Sequence, residues 1–487
     1  MMNGKIDSNK IVTATKWSAV TEIAAKLVSP ITNMVLARLL TPDAFGVVAT
    51  ITMIVSFVEV FTDAGFQKYL VQHEFKDRTD REQSICVAFW SNLSLSILIW
   101  GVIALFCEPL AVLVGNPGLG NVIVVASISI PLQAFSSIQI ALFKRDFNFK
   151  VLFKARMFGV CTPLIVTVPL ALWLKDYWAL VIGTLVLNAV NAFVLTYYSS
   201  WKIRFFYSWR KLREMLSFTM WSMVESVSIW LTGYVDVFII GIHLSAYYLG
   251  LYKTSMITVG QITALVTSAT TPILFSALSR LQNDRPAFLH FFFRFQKMVG
   301  LLVIPFGVGI FVFRDMITSL LLGNQWLEAA NFIGLWALTS SITIVLSHYS
   351  SEVYRSLGRP KLSVLSQLLH LLVLCPAMLI AVHYSYDVIY VTRALVRLEL
   401  VLVNVVIMLW FVSLSPWQML QNIAPATLAA MAMGVVGYML LPFCSMAWIK
   451  VLLILFCVVL YFSVVLLFKQ ERAEVYSALQ LIIRRKE

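Results

Sequence analysis

Apolar runs of about 20 residues follow one another down this chain with only short polar breaks, and each is long enough to cross the roughly 30 Å hydrocarbon core of a bilayer as a helix. They fall near residues 17–40, 44–72, 83–107, 120–143, 151–174, 177–199, 215–242, 247–276, 292–322, 327–351, 362–382, 388–412, 423–442 and 447–469. A main chain in hydrocarbon has no water to bond, which leaves only helices and closed barrels. Barrel strands would show alternating segments of about ten residues, and no such pattern occurs here. The expected fold class is therefore all-α, a polytopic membrane protein of about 14 transmembrane helices. Composition agrees: residues of the AVILMFWYC set make up 60% of the 487 and charged residues 13%, against about 45–50% and about 25% in soluble domains.

The same membrane unit occurs twice. An ungapped shift of 204 residues places Trp17-Ser18 on Trp221-Ser222, Ala37 on Gly241, Gly46 on Gly250 and Asp80-Arg81 on Asp284-Arg285. This duplication predicts two pseudo-symmetric six-helix bundles plus a terminal helix pair. The divisions are an N-terminal lobe 1–200, a basic cytoplasmic linker 201–214, a C-terminal lobe 215–412, helices 13 and 14 in 413–470, and a cytoplasmic tail 471–487. Two hydrophobic lobes that rock against each other are the physical basis of alternating access, so transport is the first functional class to consider.

Basic residues are retained on the cytoplasmic side of a membrane, and their placement orients the chain. With the N-terminus in the cytoplasm, 29 of the 37 Lys and Arg residues fall on that side, and the opposite loops hold only Lys175, Arg314 and Lys450. Both termini are then cytoplasmic, and the net charge of +13 follows from topology. A nucleic-acid partner would want those charges on one folded face, and none is expected. The basic, aromatic stretch from Trp201 to Arg213 reads as an interfacial segment for anionic lipid headgroups. The first apolar run carries Glu22 and Lys26 and lacks a small-residue cleavage site, unlike a signal peptide. The six cysteines lie in or beside apolar segments with no CxxC pair, so they read as small buried hydrophobes.

Charge at bilayer depth is costly and tends to face a cavity or a partner. Glu22, Lys26, Pro30, Asn33 and Ala37 share one helical stripe, as do Thr52, Ser56, Glu59 and Asp63. Lys26 is thereby expected near Glu59 or Asp63, as a ligand group or as a packing pair. In the second lobe Glu225, Thr232 and Asp236 share a face, His348 and Glu352 share another, and Arg393 and Arg397 stand one turn apart. Arg38 and Lys253 lie near the outer interface, where they can snorkel or bind. His370 reads as a satisfied interior histidine. Two cations one turn apart repel unless an anion or carboxylates compensate, so Arg393 and Arg397 point to an anionic substrate. Together the stripes predict a polar, partly cationic cavity between the lobes. Pro30, Pro131, Pro163, Pro169, Pro272, Pro305 and Pro376 fall inside apolar segments, where each is a kink for packing or for motion.

The stretch VLARLLTPDAFG from Val35 to Gly46, with Lys16-Trp17-Ser18 before it and Asp63-Ala64-Gly65 after it, resembles the opening of Wzx-type polysaccharide flippases of the MOP exporter superfamily. Val235–Gly241 with Leu249–Tyr252 resembles the start of the second bundle in that family. The resemblance implies a V-shaped pair of bundles in the bacterial cytoplasmic (inner) membrane. It implies translocation of an undecaprenyl-pyrophosphate-linked oligosaccharide repeat unit from the cytoplasmic to the outer leaflet, driven by a proton or sodium gradient, with no cofactor. For such a function, predicted depth and helix face make Lys26, Arg38, Lys253, Arg393 and Arg397 candidates for binding the anion, and Glu22, Glu59, Asp63, Glu225 and Asp236 for ion coupling. The motifs themselves carry over only Arg38 and Asp236. Expected partners are the lipid-linked oligosaccharide, membrane lipids, and the polymerase and chain-length regulator of the same pathway.

Other classes stay open. A peptidoglycan lipid-precursor flippase or a multidrug antiporter of the same superfamily has the same layout. A membrane glycosyltransferase or polymerase acts on similar lipids, but the chain has no Asp-x-Asp metal motif and no sizeable outer loop, so it is read as a non-enzyme. An ATP-driven pump would need a GxxxxGK[ST] loop; Gly115 to Gly120 reads as an outer turn instead.

Overall fold

The computed structural model describes residues 25–26, 28–444, 446–468 and 472, without side chains at 62–65, 68, 217–225 and 447. Among these residues there is no strand, and 13 helices are long and apolar enough to cross a membrane. They match, one for one, the second to fourteenth apolar runs read from the sequence; of the first run, residues 17–24 and 27 lie outside the described residues. The chain divides into two compact units, Met1–Thr254 and Ser255–Glu487.

The first unit contains α1 (28–39), α2 (Pro42–Gln72), α3 (Arg78–Leu105), a short α4 (Cys107–Leu113), α5 (Gly120–Ser127), α6 (Ser129–Arg145), α7 (Phe149–Thr162), α8 (Val168–Leu174), α9 (Trp178–Tyr198), α10 (Trp209–His243) and the opening turns of α11 (Ala246–Arg280). Thr41 ends one helix and Pro42 begins the next at its N1 position, where the missing N–H costs nothing. Asp77 caps α3 by accepting from the Asp80 amide at 2.6 Å, so that helix starts at Arg78, five residues before its apolar run. α2 packs on α6 and α10. Phe66, Tyr69 and Leu70 meet Phe89, Ile138 and Leu142 in a buried cluster at the end of these helices.

Three features of this unit departed from the run-by-run expectation. The run 120–143 is broken at Ile128, and the run 151–174 contains a π-turn at Pro163–Thr167. Pro163 has no N–H to donate, which favours such a local rewinding. The third feature is at the glycines paired by the 204-residue shift. A Cβ on Gly46 would strike the Ala246 carbonyl, and one on Gly250 would strike the Pro42 carbonyl. Absence of both side chains lets the two helix starts cross in backbone contact.

The linker between α9 and α10 has no regular secondary structure from 201 to 207. Trp90 Nε1 donates to the Arg204 carbonyl at 2.9 Å, and Phe205 and Trp209 are exposed at 82% and 70%. Apolar rings exposed beside cations suit a bilayer interface. Arg81 Nη2 donates to both carboxylate oxygens of Asp146 at 2.9 Å, and Lys211 pairs with Asp80.

The second unit holds the rest of α11, then α12 (Arg285–Val312), α13 (Arg314–Leu321), α14 (Ala330–Thr343), α15 (Ser350–Ser356), α16 (Lys361–Ala381), α17 (Tyr386–Val412), α18 (Pro416–Leu440) and α19 (Ala447–Val465). Asp284 caps α12 as Asp77 caps α3, and both helices have 28 residues. The run 292–322 breaks at Phe313 into α12 and α13, and a π-turn at Ile344–His348 interrupts the run 327–351. The core lies where α12 packs on α14 and α18, around Phe288, Phe292, Val299, Tyr349, Met408 and Ala430.

Candidate functional site

In the first unit, α2, α6, α7 and α9 enclose a cavity of about 500 Å³. Its wall comes from helical stripes. α6 contributes Gln133, Ser136, Ser137 and Lys144, α7 contributes Phe149, Phe153 and Arg156, α9 contributes Asn188, Asn191 and Leu195, and Glu59 and Gln67 come from α2. Spacings of three, four and seven residues put each set on one face. Lys144 Nζ donates to Gln67 Oε1 at 3.4 Å. A second cavity of about 290 Å³ shares Arg156 and Asn191 and adds Thr32 and Asn33 of α1 with Thr167 of the π-turn. Of the predicted residues only Glu59 lies on these walls. Lys26, half-buried on the first helix, forms no ion pair or hydrogen bond among the described residues, so the expected pairing with Glu59 is not seen there. Glu22 and the side chains of Asp63 and Glu225 lie outside the described residues.

The two halves of the second motif meet on α10 and α11. Asp236 is fully buried and accepts from the Tyr252 hydroxyl at 2.6 Å. Lys253 stands over the Tyr234 ring at 4.4 Å, and Trp230 Nε1 donates to Ser56 Oγ at 3.0 Å. Arg38 is exposed on its helix. Asp236 is thus a carboxylate held inside the protein by its own motif, and Lys253 is a cation held on an aromatic face.

In the second unit, Arg393 and Arg397 of α17 lie over one ring, Trp336 of α14, at 5.2 and 4.1 Å. Arg397 Nη1 also donates to Ser340 Oγ at 2.8 Å. Arg393 is 6% exposed and Trp336 5%. The negative face of the indole attracts both guanidiniums, an element of compensation the sequence reading had assigned wholly to an anion or carboxylates. Each guanidinium presents several N–H donors in a planar fork suited to phosphate. Further along α17, Asn404 Nδ2 donates to Ser347 Oγ at 2.9 Å and Tyr354 donates to Asn404 Oδ1 at 3.1 Å. His370, 2% exposed, bonds Glu399 through Nδ1 at 2.9 Å. Glu352 is buried and pairs with Arg355 at 2.8 Å, whereas His348 is exposed.

This unit has a cavity of its own, of about 420 Å³, between α11, α12, α18 and α19. Leu301, Pro305, Phe306, Ile310 and Met433 line it, and the Tyr461 hydroxyl at its wall donates to the Leu301 carbonyl at 2.8 Å. Among the described residues no group of three His, Cys, Asp or Glu side chains could hold a metal ion.

Sequence reasoning missed Trp336, Glu399 and the amides of α6 and α9. The signal for the amides was present as polar stripes, Gln133–Ser137–Lys144 and Asn188–Asn191, but those stripes are built mostly of uncharged groups.

Residues 35–331 match the family model described as polysaccharide biosynthesis protein. The succinoglycan biosynthesis transport protein ExoT of Rhizobium meliloti (strain 1021) is 24% identical over 70% of this chain and 68% of its own. The lipopolysaccharide biosynthesis protein WzxC of Escherichia coli (strain K12) is 20% identical over 65% of this chain and 64% of its own. Among solved structures, the lipid II flippase MurJ in an inward closed conformation superposes with a TM-score of 0.77 at 14% identity, covering 93% of this chain and 99% of that one. That likeness is one of fold.

Proposed function

The chain belongs to the polysaccharide biosynthesis protein family, and on that premise we propose that it is a flippase. Its substrate is a lipid-linked oligosaccharide repeat unit, carried on undecaprenyl pyrophosphate and moved from the cytoplasmic to the outer leaflet for surface polysaccharide assembly. The observation that carries this reading is the family match across 35–331 in a multi-pass membrane chain whose relatives are named for glycan transport and biosynthesis.

Arg393 and Arg397 supply the chemistry for the pyrophosphate. Trp336 and Ser340 hold them in place, so a bound dianion meets donors that have already lost much of their rotamer freedom. Charge-assisted bonds to phosphate are the stronger class of hydrogen bond, and a low-dielectric setting strengthens them further. The lipid tail stays in the bilayer. The units then expose the headgroup to one leaflet and the other in turn, coupled to a proton or sodium gradient. The protein works in the cytoplasmic membrane, and the 29-to-3 distribution of basic residues supports placing both termini in the cytoplasm. It delivers its product to the polymerase and chain-length regulator of the pathway and performs no bond chemistry itself.

Charge reversal tests the reading. Arg393→Glu with Arg397→Glu should abolish polymer export while the protein still inserts at wild-type level. Normal export by that variant would sink it.

A further inference from the structure

The cavity of the first unit is polar, lies among membrane-spanning helices, and has groups that the protein itself leaves unused. Asn188 is 9% exposed and lines the wall. Among the described residues, the side chains of Gln133, Arg156, Asn188 and Asn191 have no hydrogen-bond or ion-pair partner. Asn188 is buried, Gln133 and Asn191 are half-buried and Arg156 is exposed, so their polar ends face open cavity space, and a polar recess among membrane helices must hold water or a polar ligand.

We propose that this cavity is a subsite for the sugar rings of the transported molecule, recognised by Gln133, Asn188, Asn191 and Arg156. The inference rests on the flippase reading and assigns residues that reading does not use. Each primary amide offers an acceptor oxygen and two N–H donors, which is the pairing a sugar needs, since its vicinal hydroxyls donate and accept together. Phe149 and Phe153 on the wall give the apolar face of a ring a surface to lie on. A volume of about 500 Å³ falls in the range of small-molecule sites. The adjoining cavity, which shares Arg156 and Asn191 on its wall, offers room for further rings. Two cations, Lys144 and Arg156, stand against one carboxylate, Glu59, on the same wall. The site therefore accepts acidic as well as neutral sugars. The subsite uses none of the residues that the flippase reading assigns to the pyrophosphate.

The test uses full-length protein in proteoliposomes and two lipids: the complete lipid-linked oligosaccharide isolated from cells deleted for the gene, and the carrier bearing only its first sugar, prepared in vitro. Flipping is read as the fraction reached by impermeant periodate. Asn188→Leu with Asn191→Leu removes the hydrogen bonds of two amides, so flipping of the complete lipid should fall about tenfold or more. The single-sugar lipid should be moved at close to the wild-type rate, and Asn188→Gln with Asn191→Gln should recover part of the loss. Equal losses on both lipids, or no loss on either, would overturn the subsite while leaving a working flippase. A wild-type protein that moves neither lipid would instead contradict the flippase reading, and the subsite with it. Should the leucine variant fail to fold, saturation-transfer NMR on the wild-type protein with oligosaccharide released from its carrier gives the answer. Ring-proton signals support the site, and their absence refutes it.

Discussion

The two units hollow out cavities of similar size and line them with opposite chemistry. That of the first, about 500 Å³, is walled by Gln133, Asn188, Asn191, Arg156, Lys144 and Glu59. That of the second, about 420 Å³, is walled by Leu301, Pro305, Phe306, Ile310 and Met433, and its Tyr461 hydroxyl is spent on the Leu301 carbonyl. A hydrocarbon chain fills an apolar recess in a membrane at little cost, whereas a polar recess must hold water or a polar ligand. A second contrast lies in how polar groups are treated. In the second unit the cations and amides are largely partnered by protein, Arg393 and Arg397 by Trp336 and Asn404 by Ser347 and Tyr354. The first unit bonds Asn92, Asn116 and Gln139 in the same way, and the contrast lies in the amide side chains Gln133, Asn188 and Asn191 on its cavity wall.

The largest effect should come from the partner of the cations. Trp336→Ala opens a cavity under two guanidiniums and should cost about 3–5 kcal/mol, read as a drop in thermal unfolding temperature in detergent. A variant of unchanged stability would mean that the ring is not what holds the pair. Next, Ile310→Arg places a charge in the apolar recess and should cost about 2.5–3.5 kcal/mol, seen as a loss of monodisperse protein after extraction. If Ile310→Arg is extracted as well as wild type, the recess is not apolar in the membrane. Tyr461→Phe removes one bond to a main-chain carbonyl and should cost about 1 kcal/mol in the same unfolding assay; a larger fall would give that hydroxyl a role beyond the wall. The smallest effect on stability should be that of Asn188→Leu, which removes a polar group the fold does not bond, so the unfolding temperature should hold or rise. A marked fall would show that Asn188 is structural and would erase the contrast between the units.

The membrane helices were legible because burial in lipid dictates them. Runs from 44–72 to 447–469 each became a spanning helix, and Asp77 and Asp284 mark helix starts by their capping chemistry. Breaks at Ile128, Pro163–Thr167, Phe313 and Ile344–His348 were hidden, since a continuous apolar run looks the same whether or not its helix is rewound. The site was legible in part. Arg393 and Arg397 stood out because like charges one turn apart demand an explanation. The ring that answers them is on a different helix, beyond the reach of spacing. His370 was read as a satisfied interior histidine, and Glu399, 29 residues further on, is its partner. The amide-lined cavity was overlooked because the stripes were followed by formal charge, while the penalty for burying an amide is paid without one.

The central claim is tested most directly by deleting the gene and identifying the lipid-linked sugar that accumulates, with its leaflet, by mass spectrometry and a membrane-impermeant label. The account predicts a completed repeat unit trapped in the inner leaflet, whereas an outward-facing or truncated intermediate would contradict it and point to an enzyme.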